Sequence, residues 1–62
     1  VINPEVQREP TPAGGDYSEF YLLDKDGNLA KTLEEAVEFR LVEKTNDGRV
    51  LMTTYGRMKE GE

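Results

Sequence analysis

The chain has 62 residues, 35% hydrophobic and 34% charged, with a net charge of -5, no Cys and no His. That length allows one small domain with a marginal core. The missing Cys and His exclude disulfides and a zinc site of the usual ligand set, and the acidic balance disfavours direct binding to nucleic acid or to anionic membrane.

Of the staples that small scaffolds use, self-association or docking on a larger protein is left. No apolar run approaches the roughly 18 residues of a membrane span. The opening VINPEVQREP lacks the basic segment and apolar core of a signal peptide. Together with the absence of Cys, this gives a cytoplasmic expectation.

Residues 1–15 hold all three prolines, Pro4, Pro10 and Pro12, and the pair Gly14-Gly15. Proline fixes φ and biases its predecessor toward extended backbone. Composition predicts a flexible arm. A second reading has the arm ordering on a partner, with Val1 and Ile2 as anchors.

Residues 16–23, DYSEFYLL, are rich in strand formers. Tyr17, Glu19, Tyr21 and Leu23 fall on one face, and Ser18, Phe20 and Leu22 on the other. Both faces carry large apolar groups, which predicts a strand covered on both sides. Asp24-Lys25-Asp26-Gly27 then predicts a type I turn with Gly27 in the left-handed conformation, followed by a short return strand at 28–31.

Residues 32–36, TLEEA, predict a helical start, with Thr32 as cap and Glu35 completing an S/T-x-x-E box. Carrying the helix through VEFRLVEK would make a small α+β fold. At ~100° per residue, however, Arg40 and Lys44 would fall in its apolar arc. As a strand, Val37, Phe39 and Leu41 share one face while Glu38 and Arg40 share the other. The strand reading is preferred, with a helical turn at about 33–37 before it.

Thr45-Asn46-Asp47-Gly48 repeats the turn chemistry, and residues 49–58 return as a second strand. A three-residue loop at Asn46, Asp47 and Gly48 pairs Phe39 with Tyr55 and Leu41 with Thr53. A two-residue Asp47-Gly48 loop pairs Arg40 with Tyr55 and Glu38 with Arg57. The three-residue loop is preferred, because it forms an aromatic pair. The polar tail, 59–62, is expected to fray.

No catalytic residue is assigned: nucleophilic Cys and His chemistry is excluded, and a sheet this small cannot wall a cleft around its carboxylate pairs. Asp24, Asp26 and Asn28, with Glu35 further on, imitate the ligand spacing of an EF-hand loop. Leu29 stands where that loop needs Gly, so the expectation is no metal, with those three as weak candidates.

The fold expectation is a mainly β chain with one twisted antiparallel sheet of three to four strands. Two hairpins within residues 16–58 would supply it, joined by the helical turn and preceded by the flexible arm. The functional expectation is a small acidic non-enzymatic interaction module without cofactor, acting as a homodimer or docked on a larger protein. Tyr17, Tyr21, Leu23, Val42 and Tyr55 are the candidate partner-binding residues. An acidic inhibitor that mimics nucleic acid toward a basic partner is the alternative, and a weak calcium-binding turn the third reading.

Overall fold

The structure, a computed structural model, describes residues 1–58. The tail 59–62 lies outside the described residues. Four strands, β1 (Glu5–Gln7), β2 (Tyr17–Leu23), β3 (Glu38–Lys44) and β4 (Val50–Arg57), form one antiparallel sheet in the order β1-β2-β3-β4. The mainly β expectation therefore holds. Among the described residues the only helical element is a 3-10 turn at Leu33–Glu35.

The first turn forms as its residues dictate. Gly27 N–H donates to the Asp24 carbonyl at 3.0 Å, and Asp24 N–H to the Asn28 carbonyl at 2.8 Å. Asp24 Oδ1 accepts the N–H groups of Asp26 and Asn28, and Gly27 sits at φ 87. The return strand expected at 28–31 shrinks to one bridge, Leu23 to Leu29, and an Ala30 N–H bond to the Leu22 carbonyl. It has no room to continue, because β1 occupies the same side of β2 from Ser18 to Phe20.

Residues 1–15, read from composition as a flexible arm, thus supply the fourth strand. Glu5 pairs with Phe20, Val6 with Glu19 and Gln7 with Ser18. Ile2 N–H donates to the Ala30 carbonyl at 2.8 Å. The prolines lie outside β1, where no ladder N–H is needed. The arm then closes a turn in which Gly15 N–H donates to Thr11 Oγ1 at 2.8 Å. Ala13 N–H donates to Oε1 of Glu43 at 3.0 Å, and Glu43 is only 5% exposed. A bare edge of β2 would leave strong backbone donors and acceptors without protein partners, which the arm supplies.

The capping box does not form: Thr32 has the extended backbone of a cap residue, but its side chain makes no cap bond. Glu35 and Ala36 N–H donate to the carbonyls of Thr32 and Leu33, and the chain is extended again at Ala36. Val37 N–H donates to the Leu23 carbonyl, so sheet pairing takes the backbone before a second turn can close. The helical turn is correspondingly shorter than 33–37.

The β3–β4 turn carries the main correction. Gly48 N–H donates to the Thr45 carbonyl and Thr45 N–H to the Arg49 carbonyl, each at 2.9 Å, and Gly48 has φ 90. This is the expected three-residue loop. Asp47 is held below the usual carboxylate range because it accepts the Thr45 hydroxyl and the Arg49 N–H. Yet Phe39 does not face Tyr55, nor Leu41 Thr53. Lys44 pairs with Val50 but Glu43 pairs with Met52, so Leu51 is an extra residue, a β-bulge. Beyond it Leu41 faces Thr54, Arg40 faces Tyr55, Phe39 faces Gly56 and Glu38 faces Arg57.

The shifted register has a steric rationale. The Phe39 ring lies across Gly56, where an added Cβ would overlap its Cζ and Cε2 atoms. The ring covers the glycine, as cross-strand aromatics do, and stacks on Phe20 at a centroid distance of 5.5 Å. Opposed residues share a face. Ser18, Phe20, Leu22, Phe39, Leu41, Glu43, Met52, Thr54 and Gly56 therefore form a phenylalanine face. Tyr17, Glu19, Tyr21, Leu23, Glu38, Arg40, Val42, Lys44, Thr53, Tyr55 and Arg57 form a tyrosine face.

Leu23, Ala30 and Ala36 are the buried apolar residues, brought together where the 24–37 connection wraps the end of β2. No large side chain is fully buried among the described residues.

Replacing a strand glycine by alanine ordinarily helps. Here Gly56→Ala is expected to lower stability by about 1–3 kcal/mol through overpacking against Phe39, read by urea denaturation. Thr54→Ala on the same strand is expected to change it by less than about 0.5 kcal/mol. A neutral or stabilising Gly56→Ala would contradict the register.

Candidate interaction surface

Sheet alternation brings all five candidate residues, Tyr17, Tyr21, Leu23, Val42 and Tyr55, to the tyrosine face. Leu23 is 4% exposed and belongs to the core, so it is removed from the contact set. Tyr17, Tyr21 and Val42 are half-buried, and Tyr55 is 64% exposed.

Arg40 organises this face. It stands between Tyr21 on β2 and Tyr55 on β4, with its guanidinium 4.5 Å from the Tyr21 ring centroid. The charge is attracted to the ring's negative face. Arg40 Nε is buried without a hydrogen-bond partner.

Tyr17 is bracketed in the same way, with Arg8 Cζ at 4.9 Å and Lys44 Nζ at 6.0 Å from its centroid. Lys44 also lies 3.7 Å from Glu19 Oε1, which accepts the Tyr21 hydroxyl at 2.8 Å. Cations and rings thus alternate across the strands, with Glu19 joining the two clusters.

The same geometry shifts a titration. The Glu19 carboxylate accepts the phenolic hydrogen bond of Tyr21, burial penalises the phenolate, and the Glu19 charge repels it. Arg40 pulls weakly the other way, and the net effect raises the Tyr21 pKa above its ordinary value.

The acidic turn is differently built. Asp24 Oδ1 is occupied by the turn's own amides. Asp24, Asp26, Glu34 and Glu35 line one open hollow beside Lys25 and Val37, which Asn28 does not line. Among the described residues, no three acids are grouped closely enough to hold a metal ion. No helix there is long and apolar enough to cross a membrane.

The sequence reading missed two features. One is Arg40 as the centre of the tyrosine row, which depends on register. The other is the outer strand, where Val50, Leu51 and Met52 are exposed beside the expected Tyr55. A signal for it existed in the uncharged run VLMTTYG. No family model matches the chain, and neither a curated protein nor a solved structure matches it.

By ¹³C NMR of the tyrosine Cζ carbons, Tyr21 is expected to titrate above the ordinary value of about 10, and Glu19→Ala to bring it down. The stability lent by the neutral phenol is complete below that ordinary value and is lost as pH rises through the folded-state pKa. A Tyr21 titration indifferent to Glu19→Ala would rule out the Glu19 assignment.

Proposed function

We propose that the chain is a small acidic, non-enzymatic protein–protein interaction module that acts as a homodimer or as a subunit docked on a larger protein. The observation that carries this reading is the lack of any fully buried large side chain among the described residues of a four-stranded sheet. Domains are ordinarily built from two packed layers around one core. This sheet has a short arm and one connection against it, and large apolar groups on both faces stay partly in water. For so short a chain, ordering cost and apolar burial come out near balance. Covering either face or an edge adds the missing stabilisation.

The tyrosine face supplies contacts of the kind that interfaces favour. Tyr and Arg are enriched at binding hot spots, and Tyr17, Tyr21, Arg40 and Tyr55 form such a set with Val42. The chain also lacks the thiol and imidazole that nucleophilic and general-base chemistry most often use.

The test is folding followed against protein concentration. Association that stabilises only the folded chain makes the thermal midpoint rise with concentration. Sedimentation equilibrium is expected to give a mass above the 7.0 kDa of one chain. A cooperatively folded monomer with a concentration-independent midpoint at micromolar protein would sink the homodimer. If no protein in the host binds it either, the reading as a whole fails.

A further inference from the structure

We propose that a second copy of this chain completes the sheet at β4, antiparallel and related by a two-fold axis through Thr54. The proposal rests on the interaction-module reading and names its surface.

The two sheet edges are treated very differently. β1 is three residues long, with Pro4 immediately before it and Pro10 shortly after, which are ordinary ways to discourage further pairing. β4 is eight residues long, contains no proline, and carries no charge from Val50 to Gly56. Long, uncharged and apolar edges recruit another strand. The β4 bulge lies at the Leu51 end, and pairing is regular from Met52 to Arg57.

The backbone sets the parity. Met58 N–H donates to the Val37 carbonyl, so Met58 faces β3. Alternation then turns the N–H and C=O groups of Arg57, Tyr55 and Thr53 to the outer edge. Antiparallel partners oppose outward residues to outward residues, which allows a two-fold axis at a residue but not between two residues. An axis at Thr54 keeps five residues of the regular run, 52–56, paired. It sets Thr53 against the partner's Tyr55, Met52 against the partner's Gly56, and Thr54 against itself. Moving it to Thr53 keeps parity but shortens the regular overlap to 52–54, and moving it to Tyr55 keeps five regular residues, 53–57, but takes Met52 off Gly56.

Side-chain chemistry favours the same axis. On the phenylalanine face a row runs Leu22, Phe39, Gly56. Gly56 leaves its slot empty apart from the Phe39 ring above it. The partner's Met52, an exposed thioether in the single chain, extends that row and meets the ring, a favourable sulfur–aromatic contact. On the tyrosine face the row Tyr21, Arg40, Tyr55 continues onto the partner's Thr53. The Arg57 side chains fall at opposite ends of the joint ladder, each against the partner's Leu51, so no like charges meet.

The test exploits the residue on the axis. Thr54 is exposed, so Thr54→Lys and Thr54→Glu are expected to fold normally by circular dichroism. Each sets like charges against each other across the axis and is expected to weaken self-association about fivefold at low ionic strength. An equimolar mixture is expected to regain at least the wild-type affinity by sedimentation velocity, as a heterodimer. Thr53→Pro, which removes an outward N–H but no β3–β4 bond, is expected to give a folded monomer.

A wild-type dimer whose Thr54 variants associate as before and show no gain on mixing overturns the β4 assignment and leaves the interaction-module reading standing. So does a Thr53→Pro dimer. A wild-type chain that is folded and monomeric at every concentration overturns the β4 assignment and the homodimer together.

Discussion

The register between β3 and β4 is the constraint on which the rest of the structure depends, and Phe39 lying on Gly56 accompanies it. The side-chain period of a strand is two, so a slip of one residue exchanges the faces of β4 completely. With Phe39 on Gly56, Tyr55 stands beside Arg40 and Thr54 joins the phenylalanine face. Without the bulge at Leu51, Tyr55 would sit beside Phe39, and Arg40 would face Thr54 instead of Tyr55. The tyrosine face, the outward amides of β4 and the apolar row all follow from that single extra residue.

Register decides where side chains go but does not bury them. Among the described residues the buried apolar ones are Leu23, Ala30 and Ala36, two of them with the smallest apolar side chain. The large groups are spread on both faces of one sheet. Much of the local order is polar instead: Asp24 holds its own turn, Glu43 holds the arm through Ala13, and Glu19 joins Tyr21 to Lys44. Such bonds fix conformation, with a modest net contribution to stability each. A molecule built this way is well specified in shape but short of apolar burial.

Sequence and structure agree where the signal is local. Asp24 to Gly27 and Thr45 to Gly48 carry enough turn chemistry to be read directly, and strand alternation places Tyr17 and Tyr21 on one face of β2. Disagreement arises where a remote residue decides. The bulge at Leu51 goes with Phe39 meeting Gly56 across the hairpin. β1 hides in a proline-flanked arm because its three residues pair only where β2 offers a free side. The capping signal at Thr32 ends in a single 3-10 turn without a cap bond, and the Val37 bond to Leu23 returns the chain to the sheet. Leu23 reads as a surface residue until the 24–37 connection is seen to wrap it. Of the candidate surface, the residue types were legible and the geometry joining them was not.

The central claim is that the β4 edge is left open by one chain and closed by another. Amide hydrogen exchange, residue by residue and at two protein concentrations, tests it most directly. The amides of Thr54 and Gly56 point into the sheet and should be protected at both. Those of Thr53 and Tyr55 point outward and should gain protection as concentration rises. Thr53 and Tyr55 amides that exchange freely at high concentration, beside a protected Thr54, would contradict the account.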